Sequence, residues 1–132
     1  MATRFRLGKD KTSMFSEPGS VLRIEGAALF ALSLYLYRST GAGWGWFLLL
    51  FLWPDIAMLG YLANVKLGAG LYNLTHFVAF PAALAGVSLI THRSGLLSVA
   101  LIWIAHIEFD RALGYGLKYP TFFKDTHLQR VG

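Results

Sequence analysis

Apolar residues fall into four runs, 20–37, 43–62, 67–91 and 95–114, separated by short polar turns at Arg38-Ser39-Thr40-Gly41, Asn64-Val65-Lys66 and His92-Arg93-Ser94-Gly95. A helix needs about 20 apolar residues to cross a hydrocarbon core of about 30 Å, and only a helix satisfies its backbone there without help from outside. The pattern predicts an all-α fold, an integral membrane four-helix bundle. Glu17-Pro18-Gly19 reads as the turn before the first helix, with Ser20 as its N-cap. Pro54 predicts a kink in the second helix. The third is expected to run unbroken through Pro81, and Gly114 to Pro120 cannot continue the fourth.

Composition strengthens the membrane reading. The chain has 132 residues, 55% of them hydrophobic, with ten Phe and four Trp, and a mean hydropathy of +0.51. One small domain cannot hide that much apolar surface from water. There are no cysteines, which leaves any metal to His, Asp, Glu or water. The tail, residues 1–19, carries Arg4, Arg6, Lys9 and Lys11 and no apolar core of a signal peptide, so it is expected to stay as a basic cytoplasmic tail.

Lysine and arginine set the orientation. Arg38 and Arg93 stand at one end of the bundle, and the other ten basic residues at the end that holds both termini and Lys66. The positive-inside rule then places the chain as a multi-pass protein of the bacterial cytoplasmic (inner) membrane with both termini inside. The net charge of +5 follows this topology and forms no face for nucleic acid.

Ionisable residues within the runs are the anomaly. Glu25 near the start of the first helix, Asp55 late in the second, His76 in the third and His106 late in the fourth share one end when helix directions alternate. At about 1.5 Å per residue their depths agree to within about a turn. Such groups in a membrane span are a candidate site by default. The plain alternative, interfacial ion pairs that fix helix depth, competes most strongly at Arg23, Glu108 and Arg111.

The chemistry follows from the donor types. His106 and Asp110 share a helix face at i, i+4, and Asn73 and His76 at i, i+3. His76, His106, Asp110 and His127 are the expected ligands of a divalent metal, zinc, iron or manganese. Asp55 and Glu25 are the expected catalytic carboxylates, as further ligand or general base. Tyr72, Asn73, Tyr115, Lys118 and Asp125 are candidate contacts to a lipid-like substrate, and residues 115–132 are expected to fold over the site, with Asp125 and His127 closing it. No H-E-x-x-H spacing is present, so no named metal family follows from the spacing.

Arg23-Ile24-Glu25-Gly26, Pro54-Asp55 with Leu59-Gly60-Tyr61, Tyr72-Asn73 with His76, the stretch from Ala105 to Pro120, and Asp125-Thr126-His127 together resemble a family of small bacterial four-helix membrane proteins catalogued as a domain of unknown function. The resemblance covers about residues 20–130. It implies the membrane topology and singles out the polar layer, and it implies no activity. A weaker likeness is to membrane metal hydrolases of the alkaline ceramidase type, although their serine and triple-histidine pattern does not align.

Three function classes stay open. The first is a metal-dependent, hydrolase-like membrane enzyme. The second is a b-type haem protein with His76 and His106 as axial ligands, against which the carboxylates speak. The third is a non-enzymatic accessory subunit or ion-coupled carrier, with glycines at Gly26, Gly60, Gly68, Gly70, Gly86 and Gly114 permitting close contacts and a possible homodimer.

Overall fold

The computed structural model describes residues 18–117 together with Thr126 and Leu128. The expectations placed on the N-terminal tail, Lys118, Asp125 and His127 lie outside the described residues.

Among the described residues the fold is helical and comprises four rods. The first is α1 (Pro18–Ser39); the second is α2 (Trp44–Leu50) continued by a 3-10 helix (Trp53–Leu62). The third is α3 (Val65–His76) followed by α4 (Ala79–Thr91), and the fourth is α5 (Ser94–Ala112). Three of them, Pro18–Ser39, Trp44–Leu62 and Val65–Thr91, are long and apolar enough to cross a membrane, which fits a membrane protein. Their outward faces are bare hydrocarbon: Leu62 is 85%, Ile90 81% and Leu48 74% exposed. In water this surface would drive aggregation; in lipid it costs nothing.

α5 is the hub. α1 and α4 pack along it and α2 touches it, while α3 packs on the 3-10 helix. Tyr37, Phe47, Leu101, Ile102 and Ala105 form the core between these elements. Tyr37 also donates from its hydroxyl to the Gly43 carbonyl at 2.7 Å, tying the first turn to the core. α1 meets α5 closely at Gly26, where a Cβ would sit 2.9 Å from both Arg111 Cβ and the Glu108 carbonyl oxygen.

Three local expectations are corrected. Ser20 does not cap α1; it already lies within the helix, which is described from Pro18 onward. The second rod does not merely kink at Pro54. It changes helix type, since Pro54 has no N–H for the α-helical ladder and its ring crowds the carbonyl four residues back. The chain instead tightens into i, i+3 bonds, with Asp55 N–H on Leu52 O at 3.1 Å.

The third rod breaks. Pro81 cannot donate to the Phe77 carbonyl, and Phe77 turns to an extended conformation, φ −87 and ψ 109. Phe77 O accepts from Phe80 N–H at 3.2 Å instead. The break leaves Thr75 O without its helical donor, and the Trp103 indole N–H of α5 takes it. A break at membrane depth is tolerated when a side chain satisfies the freed group.

Candidate metal centre

Each break delivers a polar side chain to one point. His76 is the last residue of α3, and Asp55 lies in the first turn of the 3-10 helix. His106 and Asp110 project from one face of α5. Thr75 ties the first two together: its hydroxyl lies 3.0 Å from Pro54 O, beside Asp55, and 3.0 Å from His76 Nδ1.

One donor atom from each of Asp55, His76, His106 and Asp110 lies within 4.8 Å of all the others. His76 Nε2 and His106 Nε2 are 3.1 Å apart. Asp55 Oδ1 is 3.4 Å from His76 Nε2 and 3.1 Å from His106 Nε2; Asp110 Oδ2 is 3.3 Å from each. A tetrahedral ion with ligand bonds of about 2.0–2.1 Å sets its ligand atoms about 3.3–3.4 Å apart. These five separations, 3.1–3.4 Å, come close to five of the six edges of that tetrahedron, and the two carboxylate oxygens lie within 4.8 Å of each other.

Hydrogen bonds account for only part of this packing. His76 Nδ1 is 2.8 Å from the Tyr72 carbonyl, an acceptor only, so Nδ1 carries the hydrogen and Nε2 of the neutral ring turns its lone pair to the centre. Even two fully protonated rings would bring two N–H groups to five contacts and aim both at each other. Two imidazoles and two carboxylates, carrying two negative charges, have the spacing and the donor set to hold a divalent cation at overall neutrality. The His76–Tyr72 bond is the outer contact that orients metal-binding histidines generally. His106 differs: its Nδ1 is buried without a hydrogen-bond partner among the described residues, and its ring meets Phe51 edge-on at 5.1 Å.

Tyr72 holds two ligands at once. Its ring stacks on His76, centroids 3.6 Å apart and 10° between planes, and its hydroxyl donates to Asp110 Oδ2 at 3.3 Å. Removing only that hydroxyl, in Tyr72→Phe, is expected to weaken metal binding about 10–100-fold with unchanged helix content, as titration of the purified protein with Co2+ or Zn2+ would measure.

The turn after α5 completes one side. Gly114 has φ +94, a conformation other residues resist. Its N–H reaches Arg111 O at 3.0 Å, and Tyr115 N–H reaches Asp110 O at 2.8 Å, the paired bonds of a Schellman helix end. The chain thereby returns over the centre. Tyr72, His76, Ile107, Asp110, Arg111, Tyr115, Gly116 and Leu117 enclose a cavity of about 10 Å³, room for one water.

Several expected site residues stand apart. Glu25 does not join the four; with Leu22, Glu108, Arg111 and Leu128 it lines a separate cavity of about 110 Å³. Glu108, 1% exposed, is paired there with Arg111 at 3.3 Å. The reason is azimuth: Glu108 is two residues from both His106 and Asp110, so it leaves α5 on the side facing α1. Asn73 is half-buried one position past Tyr72. Tyr115 borders the water-sized cavity. Sequence reasoning missed Thr75, which stands beside the break after His76, and Trp103, which no sequence signal marks.

No curated protein and no solved structure matches the chain, and the likeness to ceramidase-type hydrolases gains no support. A family model does match, over residues 19–131, a span that includes all four members of the centre. The chain belongs to the family described as domain of unknown function DUF4260.

Proposed function

We propose that the protein is an integral membrane, divalent-metal-dependent enzyme of hydrolytic type, acting on a lipid-like or membrane-soluble substrate. The observation that carries this reading is the set of five donor separations of 3.1–3.4 Å among two imidazoles and two carboxylates. His76, His106 and Asp110 serve as ligands; Asp55, the most exposed of the four, serves as ligand or general base. A bound divalent ion would supply a water acidic enough to act as nucleophile near neutral pH. The residues around it do the rest: Tyr72 and Thr75 fix the ligands, and Tyr115 and Leu117 keep bulk water out. In this reading both termini are cytoplasmic, in the bacterial inner membrane, and the centre opens nearer that side.

A second reading, an ion-coupled carrier, draws on the break after His76. The C-terminal end of a half-helix carries partial negative charge, and cation sites of membrane carriers use such ends. The haem reading loses ground, because axial imidazoles stand on opposite faces of a porphyrin and here the two Nε2 atoms are 3.1 Å apart with carboxylates beside them.

The test is a panel of chromogenic lipid esters, amides and phosphodiesters in mixed micelles. Metal-dependent turnover that vanishes with chelator and in Asp55→Ala supports the enzyme reading. Metal binding without turnover of any substrate, joined to metal uptake into vesicles, would replace it with the carrier.

A further inference from the structure

The centre is shut on one side and open on another. Tyr115, Gly116 and Leu117 border a space of only about 10 Å³ beside His76 and Asp110, so nothing larger than water fits there. The histidines are nearly inaccessible, at 3% and 2%, whereas the Asp55 side chain is 32% exposed. The way in therefore passes Asp55.

What surrounds Asp55 is the lipid-facing wall. A 3-10 helix stacks residues i and i+3, which puts Asp55 in one row with Leu52, 61% exposed. The adjoining row runs Ile56, Leu59 and Leu62, at 62%, 64% and 85%. A carboxylate one-third exposed on such a face is costly, and among the described residues no polar side chain besides the centre's own surrounds it. We infer that the substrate is a bilayer-dissolved molecule that reaches the metal centre sideways, out of the membrane, between Leu52 and Ile56, presenting its polar head at Asp55 while its apolar body stays in lipid.

This rests on the metal reading, and the experiment separates the two. Protein in lipid nanodiscs is loaded with Co2+ and its visible absorption recorded, which tests loading before anything else is added. Metal removal is then followed with bathophenanthroline and with bathophenanthroline disulfonate, which share donor atoms but partition into lipid and water respectively. The lipid-soluble chelator is expected to strip the metal at least about tenfold faster, since charged sulfonates are kept out of the hydrocarbon. Ile56→Trp should slow that chelator several-fold at unchanged Co2+ content, and Ile90→Trp, on the exposed face of α4, should leave both rates as they are.

Equal rates for the two chelators, or no effect of Ile56→Trp, would overturn lateral entry while leaving the metal centre standing. A lipid-soluble chelator that is no faster because a second copy covers this face, visible as a dimer in the nanodisc, would overturn it too. Failure of the wild type to take up Co2+ would instead remove the metal reading itself.

Discussion

Zinc at a hundred times its dissociation constant is expected to stabilise the wild-type protein by about 2.7 kcal/mol, seen as a rise in detergent-solution melting temperature, and to do nothing for Asp55→Asn/Asp110→Asn. The double variant keeps the shape of the centre and removes both negative charges. Without metal it should melt no lower than the wild type. Four acceptor-rich atoms converge in the native centre with too few hydrogens between them, and each asparagine brings an N–H2 that supplies what is missing. The native residues are thus the worse choice for an empty protein and the better one for a loaded one. A double variant that still gained stability from zinc would place the metal elsewhere.

The second large effect is expected at Gly26. A side chain there would meet Arg111 Cβ and Glu108 O at 2.9 Å and Ala112 N at 3.0 Å. Two of these are backbone atoms that cannot swing aside, so α1 and α5 must separate. Overpacking of this kind costs about 1–3 kcal/mol, and Gly26→Val, with two further methyls, belongs at the upper end. Because α5 carries His106 and Asp110, metal affinity should fall together with thermal stability. Gly70→Ala is the matched control: nothing lies within 4 Å of its Cβ position, and it should behave as wild type in both measurements.

These residues also mark what the sequence made legible. Counting along four antiparallel runs put Asp55, His76 and His106 at one depth, and the i, i+4 spacing added Asp110; all four meet in the structure. The same count put Glu25 there wrongly, because depth along a helix says nothing about the direction in which a side chain leaves it. That direction depends on which neighbour each helix packs against, and α5 stands between α1 and the centre. The prolines were visible, but their consequences were larger than expected. Pro54 and Pro81 do not bend two continuous helices; Pro54 follows the end of α2 and Pro81 lies just beyond the break after α3, and the altered backbone is what aims Asp55 and His76 inward. Trp103, an ordinary core aromatic by pattern, turned out to satisfy the carbonyl that the second break releases. No periodicity announces such a partner, since it is created by a tertiary contact across 28 positions of sequence.

The most direct test is elemental analysis of the detergent-purified protein, wild type beside His106→Ala. The account predicts close to one equivalent of zinc, iron or manganese per chain, or uptake of one equivalent on reconstitution, and its loss in the variant with helix content retained. A wild type that neither carries nor accepts a divalent ion, or an alanine variant that binds it as tightly, would contradict the account at its centre.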